Sequence, residues 1–176
     1  MEFRSGLFAH KMRDIIKDFP LITDFLKING FFTAPASTKY HGNHMGGLFD
    51  HSLETMSQLV DLSLRNRLTW SRSESPYIVG MFHDLCKIDA YKVDPENPEK
   101  WIHNEEILIK GHGDKSVMIL STLMQLTEEE VLCIRYHMGA FTDKSEWNYY
   151  TRAIEKYPNV LWTHMADMLA SRVVGI

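Results

Sequence analysis

Cysteine is scarce: Cys86 and Cys133 are the only two in 176 residues. Two are too few for a disulfide framework, and both sit in apolar stretches, so reduced, buried thiols are expected. Basic charge is also in short supply. Nineteen Lys and Arg against 23 Asp and Glu give a formal net charge of -4 and a pI of about 6.1. A protein that grips long nucleic acid by its phosphates carries the opposite balance. A nucleotide or a short strand end stays open as a partner, because a metal supplies positive charge locally. No apolar run approaches the roughly 18 residues of a membrane helix. The stretch "MEFRSGLFAHKMRDIIKDFP" is charged throughout and has no signal-peptide core. A cytoplasmic chain without membrane contact is expected. Repeats, linkers and low-complexity segments are absent too.

What is present reads as globular and helical. Hydrophobic residues make up 44% and charged residues 24%, enough for one domain over 1–176 with a sizeable core. Apolar residues recur at helical spacing. Ile15, Ile16, Phe19, Ile22, Phe25 and Leu26 form one stripe, with Pro20 as a break. Leu48, Phe49, Leu53, Met56, Leu59, Val60 and Leu64 form a longer one. "SRSESPYIVGMFHDLCKI" begins with serine caps, places Pro76 in a first turn and runs on to His83-Asp84. Residues 89–110 break the pattern and read as a loop or small hairpin. Helices resume in "GHGDKSVMILSTLMQL" and in "LTEEEVLCIRYHMG", where Thr127 and Glu130 form a capping box and Gly139 is the stop. The rest is helical on either side of Pro158. The expected fold is an all-α, single-domain bundle with one hairpin-like excursion.

Nine histidines are the compositional feature to follow. His51, His83-Asp84, His112, His137 and Asp167 fall on five helical segments, at intervals of 25 to 32 residues. A lone histidine on an apolar face is usually a hydrogen-bonded core residue. The ordered set His…His-Asp…His…His…Asp is more telling, because bundles build metal sites from one side chain per helix. Imidazole and carboxylate together suit Fe, Mn, Zn, Ni or Co. Four histidines and two aspartates exceed one tetrahedral site but fit two ions. Such a pair, about 3.5–4 Å apart, clamps a phosphoryl oxygen and activates a water. Asp84 is the natural bridge, since its neighbour His83 can bind one of the same ions.

This ordered set resembles the HD-domain metal-dependent phosphohydrolases. "GGLFDHSLE" resembles their first-histidine segment and "FHDLCK" their His-Asp signature, HDxGK. His112 and His137 resemble the additions of the two-metal members. "NEEILIKGH" and "RYHMG…SEW" look most like the HD domain of bacterial 3′-5′ exoribonucleases. The likeness covers about residues 40–172. It implies an HD-type bundle and a first metal on His51, His83, Asp84 and Asp167. It further implies a bridging Asp84, and a second metal completed by His112 and His137. Lys87 then faces the phosphate or orients the attacking water. Cys86 stands where the family commonly has Gly, a change expected to affect packing and not ligation. The exoribonucleases carry a further nucleic-acid-binding OB domain for which 176 residues leave no room. The implied activity is hydrolysis of a phosphoester in a nucleotide, another phosphorylated small molecule or a short nucleic-acid end. A non-catalytic sensing module and a di-iron oxygenase are the alternatives.

Other polar residues have weaker claims. Lys115, at a helix start, is a candidate phosphate contact. His44, before "MGG", is a candidate general acid. His164 shares a helical face with Asp167 and is a candidate at the substrate mouth. His10, His41 and His103 show no constellation and read as surface residues. Trp147, Tyr149 and Tyr150 read as core before they read as a base-stacking platform.

Overall fold

The computed structural model describes residues 1–16 and 19–176, apart from the side chain of Phe19. The Phe19 position in the first apolar stripe therefore lies outside the described side chains. Among the described residues the chain is mainly α-helical: α1 (Glu2–Met12), α2 (Phe19–Ile28), α3 (Gly47–Asn66), α4 (Ser75–Phe82), α5 (His112–Ser121), α6 (Glu128–Arg135), α7 (Trp147–Lys156) and α8 (Asn159–Met168). Short 3-10 turns cover Leu85–Ile88, Gly139–Phe141 and Lys144–Glu146, and a π-helical turn, Leu169–Val174, follows α8. The expected excursion is an antiparallel hairpin, β1 (Tyr91–Asp94) and β2 (Asn97–His103), with Tyr91 opposite His103.

The long stripe folds as expected into α3, whose Leu48, Phe49, Met56 and Leu59 are buried. Leu64 departs from it at 75% exposed, because the last turn directs Ser63 and Leu62 to the core instead. Pro20 does not break a helix. It lies in the first turn of α2, where its missing N–H costs nothing. Nor do the serines cap α4. Its N-cap is Glu74, without a side-chain cap bond, and the Ser75 hydroxyl instead donates to Glu130 Oε1 at 2.8 Å. The capping box of Thr127 and Glu130 is present. Gly139 is not the stop of α6, which ends at Arg135. Gly139 has φ +56°, and a Cβ there would meet the His164 ring.

Core and polar contacts together set the angles of the elements that bear the histidines. Phe8, Phe31, Phe32, Phe49 and Phe82 meet with ring centroids 5.4–6.2 Å apart. Each such buried ring is worth about 1.5–3 kcal/mol of transfer free energy. Glu130 is fully buried and takes two Arg72 N–H groups at 2.8 Å each. Glu129 accepts from the Ser71 amide and from Asn159. The 67–75 connection is thereby tied to α6 and α8, which fixes α4 against both.

Helices α3 and α4 pack closest at Gly80, where an added Cβ would overlap Met56 Cα. Gly80→Ala is therefore expected to lower stability by about 1–3 kcal/mol, the usual cost of overpacking a tight contact. The check is the thermal midpoint, and an unchanged value would show that the helices separate freely.

Candidate metal centre

Five elements bring the sequence constellation to one place. His51 projects from α3, His83 and Asp84 follow the end of α4, His112 opens α5, His137 follows α6, and Asp167 lies in the last turn of α8. His51, His83, Asp84 and His137 are buried. The four imidazoles form a file: centroids are 5.2 Å apart for His51 and His83, 4.9 Å for His83 and His137, and 5.1 Å for His137 and His112.

The ring nitrogens divide into two sets. On one side each Nδ1 meets an acceptor: the main-chain oxygen of Ile176 for His51 at 2.9 Å, Gly80 O for His83 at 2.9 Å, and Ile134 O for His137 at 2.6 Å. For His112 the partner is the Cys86 sulfur, at 3.7 Å. The two carbonyls at Gly80 and Ile134 belong to the last turns of α4 and α6, where helix C=O groups have no intrahelical partner. This is the local reason that these histidines sit just past helix ends. With the proton on Nδ1, each ring turns a lone pair on Nε2 the other way.

The Nε2 side faces two carboxylates. His51 Nε2 is 3.1 Å from Asp167 Oδ1 and 3.6 Å from Asp84 Oδ2. His83 Nε2 is 3.5 Å from Asp84 Oδ2. On the other Asp84 oxygen, Oδ1, His112 Nε2 approaches to 2.7 Å and His137 Nε2 to 3.4 Å. His51 Nε2 and His83 Nε2 face each other at 3.3 Å. Lone pairs facing lone pairs and carboxylate oxygens repel unless protons or a cation lie between them.

Burial makes extra protons expensive here. It pushes the His83 imidazole down to about 3, so the ring stays neutral. Burial alone would raise the Asp84 carboxyl, but Lys87 and the rings of His83 and His112 hold it well below the usual carboxylate range. Asp167 is likewise held low, burial being outweighed by the His51 ring, whose Nε2 is 3.1 Å away, and by the rings of His83 and His137. His137 Nε2 is buried without a hydrogen-bond partner, and Asp84 Oδ1 beside it has the His112 ring 2.7 Å away. An orphaned buried acceptor next to a carboxylate fits a cation. Three overlapping groups could hold one: His51, His83 and Asp167; His83, Asp84 and His137; and Asp84, Cys86 and His112. Within each group the ligand atoms lie within 4.8 Å of one another.

The cluster opens onto a cavity of about 250 Å³. Asp84, Lys87, His112, His164 and Asp167 line it, as do His41, Tyr91 and Arg172. Lys87 Nζ is 2.7 Å from Asp84 Oδ2, and burial lowers its pKa less than Asp84 raises it, so the ammonium persists. His164 reaches the cavity wall with Nδ1 against His137 O at 2.8 Å. Lys115 is buried against Asp89 and lines a neighbouring cavity that shares Lys87, Tyr91, Cys86 and His112 with the centre. His44 stands apart. It is exposed, with Nε2 3.0 Å from Asp50 Oδ2, a carboxylate that Arg4 holds as well.

His41, expected on the surface, lies over the site instead, its ring 4.7 Å from that of His51. Burial, His51 and Lys87 push it down to about 4. Loop contacts place it there, among them the Ser37 hydroxyl bonded to His41 O and the Ala36 amide bonded to Gly42 O. His41 lies in an irregular loop, where no helical periodicity marks it. Arg172 was equally silent in the sequence. His10 and His103 are exposed, as expected. Of the three aromatics, Tyr150 packs on the core, whereas Trp147 and Tyr149 are exposed. Among the described residues no helix is long and apolar enough to cross a membrane. No family model, curated protein or solved structure matches the chain.

Proposed function

We propose that this chain is a metal-dependent phosphohydrolase built on an HD-type helical bundle, with two ions sharing Asp84. One observation carries the reading: four imidazoles, each with Nδ1 against an acceptor, turn Nε2 toward Asp84 and Asp167. Ligand histidines are held in this way, their second nitrogen fixed by an outer partner. His51, His83 and Asp167, with Asp84 Oδ2, would hold one ion. His112, His137 and Asp84 Oδ1 would hold the other. Bound there, divalent ions supply Lewis acidity to a phosphoryl oxygen and lower the pKa of a water.

The chain's own groups do the rest. Lys87, buried and positive at the cavity floor, neutralises charge that grows on the phosphoryl oxygens. Arg172 and His41 face the same space and meet the remainder of an anionic substrate. Met138, Phe141 and Met168 supply an apolar wall for its organic part. A nucleotide or a short strand end has both characters.

The test is turnover of bis-p-nitrophenyl phosphate and of a nucleotide panel by protein reloaded with Mn, Fe, Co, Ni or Zn after chelation. Hydrolysis that returns with metal supports the reading, and its absence with every metal refutes it. Lys87→Ala is expected to cut turnover by about 10²–10³, the scale for losing one transition-state charge contact. Metal content should hold, because Lys87 is no ligand. An unchanged rate would return Lys87 to a purely structural ion pair with Asp84.

A further inference from the structure

Three cavities meet at His112. The first, of about 250 Å³, holds the candidate centre. A second, of about 240 Å³, lies between the turn bearing Cys86 and the segment 107–111. Lys87 and Tyr91 also line both of these, so the two adjoin. A third, of about 260 Å³, lies between the start of α5 and residues 135–146. The second and third differ in charge. Lys87, Lys110 and Lys115 wall the second, and among the described residues no carboxylate lines it. Asp114, Asp143 and Glu146 wall the third, with Arg135 as the one cation against them. Arg135 is itself held by Asp114 and Glu146. Lys87 is paired with Asp84 and Lys115 with Asp89. Lys110 is exposed and has no carboxylate partner among the described residues. An anionic group beside the centre is therefore drawn to one side of His112 and repelled from the other, and the apolar walls of Ile107 and Ile109 focus the attraction.

We propose that the cavity walled by Lys110 and Lys115 is a second phosphate subsite, so that the substrate carries another phosphate beside the ester that is attacked. The attacked ester rests on the phosphohydrolase reading, whereas the affinity of the subsite for phosphate does not. Two kinds of molecule present such a group: a nucleoside bisphosphate, and a strand end whose neighbouring nucleotide is phosphorylated. A nucleoside monophosphate leaves the subsite empty.

Two pairs of substrates, offered to metal-reloaded protein, separate the sources. One is a dinucleotide with and without a 5′-phosphate, read as cleavage of its internal diester. The other is adenosine 3′,5′-bisphosphate against adenosine 3′-monophosphate, read as loss of the 3′-phosphate. The member with the extra phosphate is expected to have the higher kcat/KM, and the pair that shows it names the source. Lys110→Ala should reduce that preference about tenfold, chiefly through KM, the scale of one charge-assisted contact. Lys110→Arg should restore most of it. No preference in either pair would overturn the proposal. So would a preference lost in Arg172→Ala and kept in Lys110→Ala, because the second phosphate would then sit in the first cavity. Binding is read apart from hydrolysis. Inorganic phosphate titrated into chelator-treated protein should shift the backbone amide signals of residues 107–111, and Lys110→Ala should suppress the shifts. Their absence in the native chain would overturn the subsite. A chain that shows them and hydrolyses nothing with any metal would refute the phosphohydrolase reading and leave the phosphate subsite standing.

Discussion

Asp84→Ala is expected to empty both of the proposed metal positions and abolish the proposed hydrolysis. Each Asp84 oxygen faces its own pair of rings: Oδ2 lies 3.6 and 3.5 Å from His51 and His83, Oδ1 lies 2.7 and 3.4 Å from His112 and His137. A shared carboxylate belongs to both shells, so its loss should cost each ion more than the roughly 100-fold that outer-shell changes reach. His112→Ala and His137→Ala should each release one ion and leave the other on His51, His83, Asp84 and Asp167. Alanine also strands Lys87, which is buried against Asp84 Oδ2 at 2.7 Å. Removing one partner of a buried pair costs about 3–5 kcal/mol. Asp84→Asn keeps the shape and leaves only one good ligand oxygen, and it shows whether metal loss follows from chemistry or from unfolding. Metal per chain and circular dichroism for each variant decide the matter. Native stoichiometry in the His112 and His137 variants would reduce the centre to one ion. Retention of both ions by Asp84→Asn would deny that Asp84 bridges.

Acid should destabilise the metal-free protein well above the carboxylate range. His83 titrates near 6.5 when unfolded and about 3 when folded, because burial disfavours the charged ring. Between those values the unfolded chain binds a proton that the native one refuses. Stability therefore rises with pH across this window, is complete above about 6.5 and is lost as pH falls toward 3. At about 1.4 kcal/mol per pH unit between the two values, this ring alone carries an effect of about 5 kcal/mol over the full window. His41, pushed down to about 4, acts in the same sense. The depressed carboxyls of Asp84 and Asp167 add their loss only below about 4, since their stability is present above the unfolded value. Thermal midpoints in chelator should fall by roughly 5–10 °C from pH 7 to pH 4.5 for a chain of this size. His83→Gln should flatten that slope. A midpoint independent of pH over the same range would mean that His83 accepts its proton in the folded state.

How much of this was legible in the sequence varies with the kind of residue. His51, His83, Asp84, His112, His137 and Asp167 stood out because each interrupts an apolar helical pattern, and a polar group in such a place needs a partner. The capping box at Thr127 and Glu130 was legible for a similar reason, being a contact between residues three apart. Leu64 was misplaced because the last turn of α3 directs Ser63 and Leu62 to the core instead, and apolar spacing alone does not show which side of the turn meets a neighbour. His41 was missed because it lies in an irregular loop, held by bonds such as Ser37 Oγ to His41 O that no period encodes.

By itself, then, the sequence determined the mainly helical class, the hairpin excursion and the identity of the polar residues on apolar faces. These follow from local spacing, which acts along the chain. Tertiary structure decided the rest: that those residues meet, that Nε2 and not Nδ1 faces the carboxylates, that Lys115 turns to Asp89 while Lys87 turns to the cavity, and that the Cys86 sulfur lies beside His112. Such choices depend on which partners lie across the bundle from one another. Helix packing angles set those positions, and they arise from contacts among residues far apart in the chain.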